Sequence, residues 1–184
     1  MSEDTRRVTI VDRDFWVGRR VLLTGHTGFK GAWLSLWLQA LGAEVSGLAP
    51  GAPTRPGGAP GALLPPPGAP THPSLYALAR VGEGMAREHA CDVRDAAAVR
   101  DVVRGERPEI VLHLAAQPLV RRSYAEPALT YAVNVMGTVN VLEAVREVGG
   151  EVRAVVVVTS DKCYENPSAL HPPRPAPAPT SPPA

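Results

Sequence analysis

Thr159-Ser160-Asp161-Lys162-Cys163-Tyr164-Glu165-Asn166 sets a hydroxyl, a carboxylate and an amine on three consecutive residues, Ser160, Asp161 and Lys162. Together they supply a hydrogen-bonding group and an acid–base pair, the combination that moves protons on and off a bound substrate. A structural cap accounts for Ser160 or Asp161 singly and accounts poorly for the whole run. A second stretch with chemical potential is Gly25-x-x-Gly28-x-x-Gly31. Glycines let a backbone turn sharply and approach a pyrophosphate closely. A helix starting there presents free N–H groups and about half a positive charge to the anion. The spacing is not the commoner G-x-G-x-x-G, and the competing reading is a glycine-rich turn that packs a helix tightly on a sheet.

Both stretches need strands to position them. Val21–Thr24 is a short apolar run of the kind that forms a buried strand, and residues 32–41 after the glycines are rich in helix formers and stopped by Gly42. Glu44–Leu48 reads as a second strand and Arg87–Cys91 as a weak third. A helix follows over Ala96–Arg104, with Asp95 as N-cap and Gly105 as stop. Ile110–Leu114 is a clear fourth strand, and the spacing of Tyr131, Val135, Val139, Leu142 and Val145 predicts one long helix from about Pro127 to Glu147, ended by Gly149-Gly150. Ala154–Val158 is a fifth strand, apolar on both faces as a buried parallel strand should be. Alternation of strands and helices implies a Rossmann-like, doubly wound parallel α/β sheet in the order 3-2-1-4-5. Its ligand crevice would open where strands 1 and 4 diverge.

The carboxyl ends of the strands therefore carry the remaining candidates. Lys30 falls in the first helical turn, where a cation opposes the helix dipole by about 0.3–1 kcal/mol unless a pyrophosphate is bound. A contact with that anion and a solvated lysine both remain open. Asp92 either accepts from an adenine amino group, with Val93 against the ring, or shares the capping of the next helix with Asp95. Ala115 and Ala116 are small enough to let a cofactor pass near the backbone. His113 reads as a satisfied core histidine, and Arg121 with Arg122 as a solvated pair. No carboxylate stands where the adenosine ribose would need one after strand 2, so NAD and NADP are not separated there.

Composition narrows the class. The 19 basic and 18 acidic residues leave a net charge of +1, which argues against a nucleic-acid surface. Cys91 and Cys163 are too few for a disulfide framework or a zinc cluster, so no metal is expected. Neither a signal peptide nor a run of membrane-spanning length is evident, and a soluble cytoplasmic protein is expected. Of the 20 prolines, nine lie in 50–73 and eight in 167–183. Both segments are expected to be irregular, which leaves residues 1–15 as a polar arm anchored by Phe15 and Trp16, a cofactor domain over 16–165, and a proline-rich tail over 166–184. Strand 5, with nothing after it to pair with, is expected to form an exposed apolar edge prone to self-association. Pro73–Arg80 is expected to form a short helix with proline in its first turn.

Thr24-Gly25-His26-Thr27-Gly28-Phe29-Lys30-Gly31, Asp92-Val93-Arg94-Asp95, Leu114-Ala115-Ala116-Gln117-Pro118-Leu119-Val120-Arg121, Asn134-Val135-Met136-Gly137-Thr138 and the 159–166 run resemble the extended short-chain dehydrogenases, within them the CDP-glucose 4,6-dehydratases. The resemblance covers about Phe15 to Asn166 and only the N-terminal half of a family member. It implies NAD as cofactor, held by Gly25, Thr27, Gly28, Phe29, Gly31, Asp92, Val93, Leu114, Ala115 and Ala116. It implies CDP-glucose or a similar nucleotide-sugar as substrate, and a homo-oligomeric state. It gives Ser160 a hydrogen bond to the sugar oxygen at carbon 4, makes Asp161 the acid for the departing hydroxyl, and makes Lys162 the base at carbon 5. The family also uses a Tyr-x-x-x-Lys pair. Here the only lysines are Lys30 and Lys162, preceded at that spacing by His26 and Val158, so these residues are expected to be inactive by themselves, at most a dinucleotide-binding remnant. The tail after Asn166 has the composition that out-of-frame translation of GC-rich DNA would produce.

Overall fold

A computed structural model describes residues 11–51 and 74–160. Five parallel strands make one sheet: β1 (Arg20–Thr24), β2 (Glu44–Ala49), β3 (Arg87–Ala90), β4 (Ile110–His113) and β5 (Ala154–Val157), in the order β3-β2-β1-β4-β5. This is the order expected from the alternation of strands and helices. β1 pairs on both sides, with Leu22 opposite Ser46 on β2 and Val111 on β4. Successive side chains of a strand point to opposite faces. Val21 and Leu23 therefore join a layer with Ala32 and Leu38 of α2 (Phe29–Ala40), while Leu22 joins Val99, Val103 and Val141 beneath α4 (Ala96–Glu106) and α7 (Gly137–Val148).

The ends of the helices show which local signals held. α2 starts at Phe29, three residues before the expected boundary, because Gly28 already serves as its N-cap. Asp95 caps α4 as expected, accepting from the Ala98 amide at 3.0 Å. The stop does not fall at Gly105: the helix runs on to Glu106, and Arg107 takes the left-handed position at φ 45°. Its amide still reaches the Val103 carbonyl at 3.0 Å, and its guanidinium pairs with Glu151, which offsets the cost of a positive φ in a non-glycine residue. The helix expected after Pro73 is one turn, α3 (Leu75–Leu78), capped by Ser74, whose Oγ accepts from the Ala77 amide; Pro73 lies outside the described residues. The polar arm is not wholly loose, since α1 (Arg13–Trp16) is capped by Asp12 and Trp16 packs on the α2 layer.

The long helix expected over 127–147 is present, running continuously from Pro127 to Val148, but it is not regular throughout. α5 (Val120–Ala125) and α6 (Pro127–Tyr131) lead into a π-turn over Ala132–Met136, and α7 follows. The turn brings Asn134 to Gln117, with Asn134 Oδ1 accepting from the Gln117 amide at 2.7 Å and Nδ2 donating to its carbonyl at 3.1 Å. A π-turn of this kind commonly marks a place where a helix is reshaped to aim particular groups. Residues 127–148 do reach membrane-spanning length and apolarity by composition, contrary to the sequence reading, but α7 packs against α4 through Gly137, Val141 and Ala144. β5 stands at the edge of the described sheet, as expected. It is half-exposed rather than buried on both faces, and Val156 is 50% exposed.

Leu23 is fully buried at the centre of the sheet. Leu23→Ala is expected to cost roughly 2–5 kcal/mol of stability in urea unfolding. A loss under about 1 kcal/mol would contradict its central position.

Candidate functional site

All five strands run the same way, so their carboxyl ends share one edge of the sheet. The glycine turn sits there at the exit of β1. Gly25 has φ 73°, and a Cβ on it would fall 2.8 Å from the Ala115 backbone nitrogen. Only glycine meets both demands. Its amide donates to the Leu48 carbonyl at 2.8 Å, which ties the turn to β2, and its carbonyl accepts from the Gly28 amide at 3.0 Å. Gly31 is needed for a different reason: a Cβ there would lie 2.2 Å from the Gly25 carbonyl oxygen. The helix thus begins directly against the turn. Gly28 caps α2 without a side chain, so the first amides at the positive end of a 12-residue helix have no capping side chain.

Of the residues singled out from sequence, Gly25, Thr27, Gly28, Phe29 and Gly31 form this turn, and Leu114, Ala115 and Ala116 lie beside it where β4 ends. Thr24 staples the two exits: its Oγ1 accepts from the Leu114 amide at 3.2 Å and from the Ala115 amide at 3.1 Å. Asp92 and Val93 stand at the exit of β3, two strands from β1. Asp92 takes no part in capping α4, a role that Asp95 fills alone. Arg94 grips the Asp92 carboxylate from its side chain and its amide, and this holds the carboxyl below its usual range. The Val93 side chain packs under Gly137, where a Cβ would lie 2.7 Å from its Cγ2, and its carbonyl accepts from Asn140. Ser160 is the last described residue, three past the end of β5; Asp161, Lys162 and Cys163 lie outside the described residues. Lys30 is exposed, and Arg122 pairs with Glu126 at 3.1 Å, so the arginine pair is partly engaged on its own helix.

A chain of hydrogen bonds behind the turn went unassigned in the sequence. Thr24 Oγ1 already accepts two amides, so its hydrogen goes to His113 Nδ1 at 2.7 Å. The ring proton therefore sits on Nε2 and donates to Thr138 Oγ1 at 3.1 Å, and Thr138 donates to the Asn134 carbonyl at 2.8 Å. His113 is the satisfied core histidine that the sequence suggested. The one sequence signal for the chain is that Thr24 and His113 end paired strands in register. Thr138 and Asn134 reach it only through the π-turn.

Burial lowers the His113 pKa below its ordinary value of 6.5. The unfolded chain then binds more protons than the folded one near and below that pH, so stability is present above about pH 6.5 and is lost as pH falls. The melting midpoint is expected to drop from about pH 7.5 to about pH 5.5, and His113→Asn to drop less over the same interval. Equal pH slopes in the two proteins would refute this account of His113.

The family profile described as NAD dependent epimerase/dehydratase matches residues 21–183. The chain is 48% identical over 157 residues to the CDP-glucose 4,6-dehydratase of Salmonella typhimurium, covering 85% of this chain and 38% of that protein. Among solved structures it resembles the UDP-glucose 4-epimerase of Thermus thermophilus in complex with NAD, at 33% identity and TM-score 0.51, covering 71% of this chain and 34% of the other. The UDP-glucose-4-epimerase of Stenotrophomonas maltophila, also with bound NAD, has TM-score 0.62 at 22% identity and covers 83% and 40% respectively, a likeness of fold. The chain spans about two fifths or less of the length of each of these relatives.

Proposed function

The chain belongs to the NAD dependent epimerase/dehydratase family, and from that premise we propose that these 184 residues are the cofactor-holding part of a CDP-glucose 4,6-dehydratase. The observation that carries the reading is the turn at 25–31. There an uncapped helix start lies within backbone contact of the β4 exit, at the edge of the sheet where doubly wound folds bind dinucleotides. The likeness to the Salmonella protein supports the choice of sugar nucleotide.

The residues present fit NAD. Main-chain amides at the start of α2 would hold the diphosphate, the glycines at 25, 28 and 31 let the turn close tightly enough to present those amides, and the small Ala115 and Ala116 leave room beside the β4 exit. NAD held there would supply a reversible hydride acceptor for carbon 4 of the hexose and the hydride returned to carbon 6. In this proposal Ser160 hydrogen-bonds the oxygen at carbon 4 and holds the sugar for that transfer. Lys162 takes the proton from carbon 5 and returns one there when hydride reaches carbon 6, and Asp161 gives a proton to the hydroxyl that leaves carbon 6 as water. The net change is loss of one water, giving CDP-4-keto-6-deoxyglucose. Withdrawal of the proton from the hydroxyl at carbon 4 falls in this family to a Tyr-x-x-x-Lys pair, and neither Lys30 nor Lys162 has a tyrosine four residues before it. The reading is therefore that a polypeptide of these residues binds NAD without completing the reaction. A purely dinucleotide-binding role is the second reading, favoured by the same missing pair. Another nucleotide-sugar epimerase or dehydratase fits less well, because Asp161-Lys162 suits the loss of water. A cytoplasmic setting accords with the use of NAD and a sugar nucleotide.

Titration calorimetry of the folded chain is expected to show one NAD bound per polypeptide, and incubation with NAD and CDP-glucose to give no keto-sugar chromophore in alkali. Absence of NAD binding would overturn the cofactor assignment, and a chromophore would overturn the inactive reading. The half-exposed, uncharged β5 edge supports a further part of the proposal, that this polypeptide self-associates. Val156→Lys is expected to shift it toward monomer in sedimentation. A wild-type chain already monomeric and melting cooperatively would contradict this.

A further inference from the structure

His26, between the first two glycines of the turn, does not face the crevice. Its side chain is fully buried and turned back into the core, against β2 at Gly47, where a Cβ would fall 2.6 Å from the ring. His26 Nε2 donates to Glu88 Oε1 on β3 at 3.0 Å, and the same oxygen accepts from the Tyr76 hydroxyl on α3. The two rings meet edge to face, with centroids 5.7 Å apart. Gly82 makes room for the assembly, since a Cβ there would lie 2.5 Å from the Tyr76 oxygen and 2.7 Å from Glu88 Oε2. Three separate elements thus converge on one carboxylate oxygen. Glu88 Oε2 has no hydrogen-bond partner among the described residues.

Leucine-sized apolar residues would fill this volume without burying a carboxylate, an imidazole and a phenol, so filling space is a poor account of it. Geometry offers a better one. The His26 Cα is one of the atoms against which Gly31 packs: a Cβ on Gly31 would come within 2.8 Å of it. Any shift of His26 therefore displaces the start of α2 and the amides that the turn aims outward. We propose that Tyr76, Glu88 and His26 form a buried strut that positions the glycine turn and thereby sets the affinity for dinucleotide. This rests on the reading of that turn as the NAD site. All three act as positioning residues, with Glu88 as the hinge of the arrangement and α3 linked through it to the cofactor edge.

The test compares the full chain with Glu88→Leu, Glu88→Gln and Tyr76→Phe, each confirmed folded by circular dichroism. It reads NAD affinity and, without ligand, amide hydrogen exchange across residues 25–31. Glu88→Leu is expected to weaken NAD by at least about tenfold and to speed exchange in the turn while β1 and β4 stay protected. Glu88→Gln keeps an oxygen for both donors and is expected to restore most of each property. Tyr76→Phe, which retains the ring and loses one donor, is expected to fall between them, and decides the matter if Glu88→Leu does not fold. Affinity and turn exchange unchanged in the folded variants would overturn the strut. Failure of the unmodified chain to bind NAD, with exchange still accelerated by Glu88→Leu, would sink the dinucleotide reading and the affinity claim together.

Discussion

The constraint on which the rest depends is the approach of Gly25 to the Ala115 backbone. β1 and β4 can pair to their last residues, and α2 can begin at once beyond β1, only because no side chain separates these two stretches. Thr24 completes the junction by accepting both the Leu114 and Ala115 amides, so the strand exits satisfy each other's backbone groups where the ladder ends. The junction is main chain on both sides, so what it offers is amide orientation and not side-chain functional groups.

Around that junction the core changes character. Along most of β1 the layers are aliphatic, with Val21, Leu22 and Leu23 all but inaccessible. At the carboxyl edge the buried groups become polar, Thr24, His26 and His113, with Glu88 of β3 reaching His26 from the level of Leu23. Such groups are costly to bury and restrict geometry strongly when paired, so they occur where orientation matters more than transfer free energy. The Thr24–His113–Thr138 chain extends this behaviour to the π-turn and Gln117.

The sheet was legible in the sequence because each strand is a short apolar run set off by turns, and the alternation with helices leaves few permitted topologies. Gly25 and Gly31 were legible as a pattern, although the reasons for them differ and appear only in three dimensions. Details that depend on distant partners were not legible. The π-turn within the long helix goes with an exchange between Asn134 and Gln117, 17 positions apart, and nothing in the apolar spacing of 131–145 marks it. The run of α4 past Gly105 depends on Arg107 finding Glu151. The inward turn of His26 has no local signal, because its partner Glu88 stands 62 residues later. β5 is less buried than its apolar run suggested, because such a run reports only what a strand could bury.

The alternation along β1 also divides the molecule. Leu38 and Val45 answer to one side of the sheet, Val99 and Val141 to the other, with a single layer of main chain between. Truncations placed on opposite sides share no packing partner and should sum, whereas two within one layer would each alter the space left to the other. Sequence drift can therefore proceed in the α4–α7 layer almost unseen by the layer that carries the glycine turn, and the two halves of the core are free to age at different rates.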